Sequence, residues 1–329
     1  MSRSLKVVLV LGVAAVVLGP AWLLMRDQFG PGGGGKKVVR IGHLPITDHL
    51  TVIARARTTH PRTELQLVKF SGWPEVAEAL RSGSIDGAYL LAPLGVRLRQ
   101  QGAPIKTVLL GHRNGSVVIV KNSPDIRQAS DLRGQTIAIP SRFSTHNILI
   151  RKLLGEHKID PDRDVKLLDM KPPEMVNALA TGQIDAFIVA EPFGGQAELQ
   201  GVGKVLALSK DVWAGHICCV LHVNESLIES EPQAVQDVVS GFVEAAGFIE
   251  SNPAEAAQLS TAYLGQKPAV IEHVLLHPKG RITFDDLIPR LADFEATQNY
   301  LLSDGILKEG VDLAAYVDDR FARKAYEAR

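Results

Sequence analysis

The sequence predicts an α/β protein with two similar lobes, each a mostly parallel sheet flanked by helices. The first observation is an internal repeat, because residues 75–102 align without a gap with residues 174–201. Each copy predicts an amphipathic helix, a glycine stop, a short apolar strand and a proline that ends the strand at an exposed loop. The second observation is that strands alternate with helices, which is typical of parallel sheets covered on both faces. Two lobes built alike predict a ligand cleft between them.

The elements of the two repeated units follow from apolar runs and turn residues. In the first unit we predict strands at 38–42, 65–70 and 87–91 and a helix at 74–81. In the second unit we predict strands at 130–139 and 165–169, a helix at 145–156, and a repeated helix that opens at Pro172 and Pro173. Proline suits the first turn of a helix, where the amide hydrogens have no partner within the helix.

Two β-branched apolar segments, 116–120 and 216–223, lie at the junctions between the copies. We interpret them as crossing strands that join the lobes and act as a hinge. The chain after them is helical, with predicted helices at 230–249, 251–265 and 284–302 that pack on the first lobe. The predicted domains are therefore an N-terminal segment 1–36, a first lobe of 37–120 with 221–329, and a second lobe of 121–220.

The charge of the chain argues against nucleic-acid binding. Lys and Arg together number 36, and so do Asp and Glu, so the net charge is zero and no basic field exists to attract phosphates. The chain is 46% hydrophobic over 329 residues, which is enough to bury one or two cores.

The N-terminus predicts export. Arg3 and Lys6 precede an apolar run over residues 7–25, and a glycine-rich tract follows at 30–35. A basic start and an apolar segment are typical of a secretory signal, and the run is close to the length that spans a bilayer. A cleaved signal and a retained membrane anchor both remain open. We interpret the glycine tract as a flexible tether.

The cysteines and loop histidines carry no recognisable metal motif. Cys218 and Cys219 are neighbours in a predicted strand, so we expect their side chains on opposite faces as small buried hydrophobes. A strained vicinal disulfide or a metal site is the alternative. The histidines of the predicted loops lack the spacing of a zinc motif. We predict neither a metal nor a cofactor.

The carboxyl ends of the predicted strands mark the candidate binding loops, because open α/β sheets bind ligands there. These loops are 44–49, 71–73, 91–93 with its copy 190–193, and 141–147. In the last, Ser144 and Thr145 precede a helix, whose N-terminal amides and dipole favour an anion. Simple capping of the helix is the alternative. Glu191 stands where the first copy has Ala92, either in a pocket or in an ion pair. Trp73 is either a pocket wall or core.

Four segments carry a resemblance to a known family. They begin at Gly42-His-Leu-Pro, Ala79-Leu-Arg-Ser, Asp131-Leu-Arg-Gly and Ala178-Leu-Ala-Thr. The chain resembles the substrate-binding proteins of ABC importers in the nitrate/sulfonate/bicarbonate group, the superfamily that includes the NMT1/THI5-like thiamine-pyrimidine binders. The resemblance implies a periplasmic-binding-protein type II fold, a monomer, a location in the periplasm or on the outer face of the cell membrane, and permease and ATPase subunits as partners.

Short segments around the predicted loops are similar to the nitrate-like branch of this family, where the corresponding loops line the cleft. They include Asn114-Gly115 and Trp213-Ala-Gly-His216. From the loops and the resemblance together, the predicted ligand-binding residues are Leu44, Pro45, Thr47, Asp48, His49, Trp73, Ala92, Pro93, Asn114, Ser144, Thr145, His146, Asn147, Glu191 and His216.

The predicted function is the capture of a small ligand between two lobes for delivery to an ABC importer. We expect a small anion such as nitrate, a sulfonate or bicarbonate, with a thiamine-pyrimidine-like heteroaromatic as the alternative ligand. Two other classes remain open, since fold resemblance alone does not separate them. One is an enzyme on the same fold, like the pyrimidine-synthesis or menaquinone-pathway relatives. The other is a membrane-tethered ligand sensor. Hydrolase motifs are absent from the sequence, so we predict a protein that is not an enzyme.

Overall fold

Two five-stranded sheets of the same design organise the chain in a computed structural model that describes residues 35–329. The strands are β1 (Lys37–His43), β2 (Thr63–Lys69), β3 (Gly87–Leu91), β4 (Ile105–Leu110), β5 (Arg113–Asn114), β6 (Ser116–Lys121), β7 (Thr136–Ile139), β8 (Lys166–Asp169), β9 (Ala186–Ala190), β10 (Gly203–Leu208), β11 (Cys219–Asn224) and β12 (Ile282–Thr283). The predicted export segment before residue 35 lies outside the described residues. Across residues 35–329, no helix is both long and apolar enough to span a membrane.

Helices cover these sheets and fill the C-terminal part of the chain. They are α1 (Ala54–Arg57), α2 (Trp73–Arg81), α3 (Ala92–Gln100), α4 (Thr145–Glu156), α5 (Pro172–Ala180), α6 (Phe193–Leu199), α7 (Ser209–Val212), α8 (Glu225–Ser230), α9 (Pro232–Ser251), α10 (Pro253–Leu264), α11 (Pro268–Leu276), α12 (Leu291–Ser303), α13 (Leu313–Tyr316) and α14 (Arg320–Glu327). Short 3-10 helices occupy Thr47–Ile53 and Ala129–Leu132.

The two sheets have equivalent strand orders. The first is β2-β1-β3-β11-β4, and the second, read from its other edge, is β8-β7-β9-β6-β10. In the first sheet β1 pairs in parallel with β3, and β11 runs antiparallel to β3 and β4. In the second, β7 pairs in parallel with β9, and β6 runs antiparallel to β9 and β10. The predicted fold class, two lobes with mostly parallel sheets, is confirmed.

The two crossing segments each belong to one sheet. After β4 and the short strand β5, β6 enters the second sheet, and β11 returns to the first sheet after β10. Each is the antiparallel strand of its sheet, so its first residue lies at the edge where the parallel strands end. The structure places residues 116–120, which we had assigned to the end of the first lobe, in the second sheet. The remaining domain limits stay predictions.

The internal repeat forms the same structure twice. α2, β3 and α3 correspond to α5, β9 and α6. The helix-ending glycines adopt the left-handed conformation in both copies, with φ of 73° at Gly83 and 72° at Gly182, which side chains other than glycine rarely adopt. The residues after each strand differ from the prediction. Ala92 and Pro93 are buried and begin α3 instead of forming an exposed loop. Proline in the first turn of α3 permits this, since it removes no helical hydrogen bond.

A second pair of repeated glycines lets α3 and α6 approach their sheets closely. A Cβ atom at Gly95 would overlap the His222 imidazole and the Tyr316 hydroxyl, and one at Gly194 would overlap the Val117 side chain. His222 and Tyr316 are fully buried and hydrogen-bonded to each other. Glycine at this position of both copies therefore avoids a steric clash between the helix and the side chains packed against it.

The predicted packing of the C-terminal helices on the first lobe holds for α9 but not for α11 (Pro268–Leu276), which lies against α6 of the second lobe. α9 lies against the 3-10 helix Thr47–Ile53, α1 and β2. The predicted helix at 284–302 is wrong in its first part, because α12 begins only at Leu291. Pro289 disfavours the helical conformation of the residue before it. The Phe284 amide instead donates to Glu250, and the Leu287 amide donates to the Tyr326 hydroxyl.

We expect Gly95→Ala to lower the free energy of unfolding by about 1–3 kcal/mol, because the added methyl group overpacks a filled site. Gly155→Ala is the matched control, since it also replaces a helical glycine but meets nothing within 4 Å. This control should leave stability unchanged or slightly higher, because alanine favours the helix. Urea unfolding of the two variants measures the difference. Equal stability of the two variants would contradict the packing role of Gly95.

Candidate functional site

The candidate site lies where the carboxyl edges of the two sheets face each other. The first edge presents residues that follow β1, β3 and β4 and the start of β11. The second presents residues that follow β7, β9 and β10 and the start of β6. Cys218 of the first edge and His146 of the second meet with 3.8 Å between Sγ and Nε2. Most of the residues predicted for ligand binding lie on these two edges and are buried.

An ion pair stands at the first edge. The Asp48 carboxylate lies 2.9 Å from Nε2 of His112, and both side chains are fully buried. Burial raises the pKa of Asp48 to about 7, opposed by the charge of His112. Burial alone would lower the pKa of His112, but the Asp48 carboxylate outweighs it and raises the pKa to about 10. Each side chain therefore offsets part of the cost of burying the charge of the other.

The two cysteines lie beside this pair, and both thiols point into the same cluster. One ligand atom from each of Asp48, His112, Cys218 and Cys219 lies within 4.8 Å of all the others. The prediction that the cysteines face opposite ways is wrong, because β11 begins only at Cys219 and the alternation of a strand does not extend to Cys218. Burial would raise the pKa of Cys218, but hydrogen bonds and charges from Cys219, His146 and His112 lower it. Burial raises the pKa of Cys219.

Three hydrogen-bond donors near the cleft are buried without an acceptor among the described residues. They are Nε2 of His49, Nε1 of Trp73 and Oγ1 of Thr145. Nδ1 of His49 accepts the Leu44 amide hydrogen at 2.8 Å, so the ring proton of the neutral imidazole is on Nε2. Burial lowers the pKa of His49 well below its usual value, which keeps the ring neutral. The His49 and Trp73 rings meet edge to face with centroids 5.9 Å apart.

The second edge is organised by the start of α4. Ser144 is the N-cap, and its hydroxyl accepts the Asn147 amide hydrogen at 3.1 Å. This cap was the alternative to an anion site, and it uses Ser144 rather than Thr145. His146, one residue further, makes a 3.0 Å hydrogen bond between its Nε2 and the Ser116 hydroxyl. The first turn of α4 is thus fixed by local bonds that leave the Thr145 hydroxyl unpaired.

Glu191 is committed to an ion pair instead of pointing freely into a pocket. Arg281 Nε donates to its carboxylate at 2.6 Å, and the Gly195 amide donates at 2.9 Å. Burial raises the pKa of Glu191, and Arg281 opposes that rise. The Glu191 carbonyl accepts both the amide and the hydroxyl of Thr47, at 2.7 and 2.8 Å. Thr47 and Glu191 therefore join the two lobes directly.

Some of the other predicted residues lie at the cleft, and others make local structural contacts. Leu44 and Ala92 are fully buried, and Pro93 lies in the first turn of α3. His216 is buried with Nε2 unpaired, and burial lowers its pKa to about 4. The Pro45 carbonyl accepts the Gln266 side chain at 3.1 Å.

Two predicted asparagines have their polar atoms occupied elsewhere. Asn114 has a positive φ of 62° and accepts the Gly215 amide at 2.9 Å, so it shapes the turn before β6. The Asn147 side chain donates to the Arg142 carbonyl at 3.1 Å and accepts from Arg151 at 3.2 Å. It lines a cavity of about 510 Å³ between the second lobe and residues 304–306. We had predicted Asn147 as a ligand-binding residue, and this geometry does not support that role.

A cavity of about 390 Å³ opens between the lobes beside Trp73. Its walls on the first lobe are Gly72, Trp73, Pro74 and Leu94, and on the second lobe they are Pro140, Ser141, Phe143, Asp169, Met170 and Lys171. The volume suits a small organic molecule. Lys171 also forms an ion pair with Glu75 across the cleft at 2.8 Å.

His112, Ser116, Arg281 and the two cysteines were missed as site residues. A usable signal existed for His112, since it follows the apolar run 105–110 and a strand there would have placed it at the binding edge. No local pattern marks Arg281, which pairs with Glu191 only through the fold.

Comparison with known proteins identifies the family. The sequence matches the model of the NMT1-like family over residues 32–264, more than half of the chain. The chain belongs to the NMT1-like family. A family relative in Synechocystis sp., the nitrate import ATP-binding protein NrtC, is 30% identical over 249 residues, which cover 68% of this chain and 37% of that protein. The chain spans about a third of the length of the curated relatives it matches first.

Solved structures share the fold. The ligand-binding component of an ABC-type import system from Staphylococcus aureus, solved with zinc bound, is 28% identical with a TM-score of 0.80, and the match covers 88% of this chain and 99% of that one. The periplasmic nitrate-binding protein NrtA from Synechocystis has a TM-score of 0.80 at 18% identity, with 89% of each chain covered.

We expect Glu191→Ala to lower the free energy of unfolding by about 1.5–3 kcal/mol, because it removes a buried charge-assisted hydrogen bond from Arg281, whose guanidinium keeps Glu198 as its other partner. Glu156→Ala is the control, since it removes a partly exposed helical pair with Lys152. That change should cost less than about 1 kcal/mol. Chemical denaturation of both variants tests this. A cost below 1 kcal/mol for Glu191→Ala would mean that the ion pair does not stabilise the lobe contact.

Proposed function

We propose that this protein is an extracytoplasmic solute-binding protein that captures a small anion between its lobes and delivers it to an ABC importer. The observation that carries the proposal is the set of three buried donors, on His49, Trp73 and Thr145, which have no acceptor among the described residues. Leaving a buried donor unpaired costs about 1–3 kcal/mol, so three of them near one cleft favour a ligand rich in acceptor atoms. The oxygen atoms of an oxyanion meet that need.

The cavity beside Trp73 favours an organic anion over a bare inorganic ion. Its walls include the apolar side chains of Trp73, Leu94, Phe143 and Met170, which would cover a carbon skeleton. The start of α4 adds the positive end of a helix dipole. A heteroaromatic ligand remains the second candidate, because Trp73 and Phe143 offer aromatic faces for stacking.

Capture would involve closure of the lobes about the segments that precede β6 and β11, the predicted hinge. Three contacts support this: the Thr47 bonds to Glu191, the Lys171–Glu75 ion pair, and the Arg97 guanidinium 5.6 Å from the centre of the Phe143 ring. Each joins one lobe to the other and would be released on opening.

Location, partners and role follow from the proposal. Export fits the apolar N-terminal run, and the relatives named above are components of import systems, which favours permease and ATPase subunits as partners. We propose transport by a monomer instead of catalysis. A cleaved N-terminal segment would give a free carrier, and a retained segment would give a carrier tethered to the membrane.

We expect one member of a ligand panel to raise the thermal stability of the purified protein. The panel contains nitrate, bicarbonate, taurine, alkanesulfonates and pyrimidine precursors. A ligand at 100 times its Kd adds about 2.7 kcal/mol of stability. Small-angle scattering should then show a smaller radius of gyration on saturation. Stabilisation only by an uncharged heteroaromatic would reject the anion proposal, and an unchanged radius would reject hinge closure.

Two substitutions test the unpaired donors. We expect Trp73→Phe and Thr145→Val each to weaken binding of the anion found in the panel by about 1.5–3 kcal/mol, the range for hydrogen bonds to charged groups. Thr59→Val is the matched control for Thr145→Val, because it removes the same group from the surface. Calorimetry measures all three variants. Affinities within twofold of the parent for both test variants would remove these donors from the binding site.

A further inference from the structure

Four potential metal ligands converge at the strand edge of the first lobe. The Asp-His-Cys cluster comprises Asp48, His112, Cys218 and Cys219, all fully buried. They come from three places in the chain: the 3-10 helix after β1, the turn after β4 and the start of β11. The fold brings a carboxylate oxygen, an imidazole nitrogen and two sulfur atoms within 4.8 Å of one another.

The spacing of these atoms fits a four-coordinate ion. Bonds of about 2.0–2.3 Å in a tetrahedral site put neighbouring ligand atoms about 3.3–3.8 Å apart. All pairs of the cluster lie inside 4.8 Å, and the pair formed by Asp48 and His112 is at 2.9 Å. A shift of less than about 1 Å in each side chain would therefore complete the shell.

The polar atoms of Asp48 and His112 lie close to each other but are poorly aligned for hydrogen bonding. Neither carboxylate oxygen of Asp48 and neither ring nitrogen of His112 makes a hydrogen bond of acceptable geometry within residues 35–329. A buried carboxylate without a well-aligned donor is costly, and native proteins leave few such groups unless an ion or water completes them. The Asp48 oxygens therefore favour a cation, whereas the unpaired donors of the adjacent cleft need acceptors.

The backbone around the cluster is tightly fixed. A Cβ atom at Gly111 would lie 2.5 Å from the Asp48 carbonyl oxygen and 3.0 Å from that of Cys219. Gly115 has a φ of 78°, and a Cβ there would lie 2.8 Å from Nδ1 of His112. The Gly111 amide also donates to the Cys219 carbonyl at 2.8 Å. Ligands held on such a rigid frame need little reorganisation to bind an ion.

We propose that the Asp-His-Cys cluster binds one thiophilic divalent transition-metal ion, for which Zn²⁺ is the probe. Two thiolates, an imidazole and a carboxylate form the kind of set that zinc accepts in tetrahedral sites. Calcium and magnesium are disfavoured, since they require oxygen ligands. The inference does not rest on the proposed import function, because binding is a property of the purified chain.

Cobalt substitution tests the site directly. The full chain, purified under reductant, stripped with a chelator and freed of any affinity tag, is titrated with Co²⁺. We expect one ion per chain, with a thiolate-to-cobalt charge-transfer band, intense visible bands of a tetrahedral site, and displacement of cobalt by Zn²⁺. Absence of the charge-transfer band from the unmodified protein would overturn the proposal whether or not any variant folds. So would a disulfide between Cys218 and Cys219 that persists under reductant.

Variants assign the ligands. Cys218→Ser with Cys219→Ser should abolish the charge-transfer band. His112→Gln should weaken Zn²⁺ binding more than about 100-fold, since losses of outer-shell partners alone cost 10–100-fold. His157→Gln removes an exposed imidazole and should bind like the parent. Far-ultraviolet circular dichroism checks that each variant is folded. Zinc affinity of a folded His112→Gln variant within twofold of the parent would place the ion elsewhere.

Anion binding measured on the same variants separates this inference from the import proposal. Loss of zinc binding with retained anion binding supports a metal site beside the ligand cleft. Retained zinc binding in the cysteine double variant overturns the site, whatever the anion result.

Discussion

The chain crosses between the two sheets twice, and after each crossing it forms the antiparallel strand of the sheet that it enters. The rest of the structure depends on these two crossings. β6 begins at Ser116 directly after the first lobe, and β11 begins at Cys219 directly after the second. Because an antiparallel strand starts where its parallel neighbours end, both starting points lie at the binding edges. The two edges are therefore held face to face by covalent connections as well as by the bonds between Thr47 and Glu191.

This arrangement buries polar groups from both lobes in one place, and they are satisfied to different degrees. Glu191 accepts hydrogen bonds from Arg281 and from the Gly195 amide, and the same guanidinium also pairs with Glu198. Such a group contributes to structure and has nothing left for a ligand. His49, Trp73 and Thr145 have spare donors, and the Asp48 carboxylate has spare acceptors. In a low-dielectric site, unpaired groups are costly unless function uses them.

The unpaired donors and the unpaired acceptors favour ligands of opposite charge. An anion beside the carboxylate and thiolate of the Asp-His-Cys cluster would be repelled, whereas a cation there would be held by them. A bound cation would in turn make the neighbouring donors a better place for an anion. The imidazole of His146, between Ser116 and Cys218, lies where the second lobe meets this cluster. Lobe contact and the state of the cluster are thus physically connected.

The sequence by itself determined the features that rest on local patterns. The repeat, strand β3 at Gly87–Leu91, helix α4 at Thr145–Glu156 and the proline-opened helices follow from periodicity, caps and turn glycines within a few residues. The buried edge containing Asp48, His49 and Thr145 was also predictable, because parallel strands end at one edge. Tertiary structure alone decided the partners. Arg281 meets Glu191 across 90 positions, and His112 meets Asp48 across 64. Both cysteine side chains face the same cluster because β11 begins at Cys219, after Cys218. Phe284 is not helical, and its amide hydrogen bonds to the Glu250 carboxylate. Contacts between residues so far apart leave no periodic trace in the sequence, so only the packed fold reveals them.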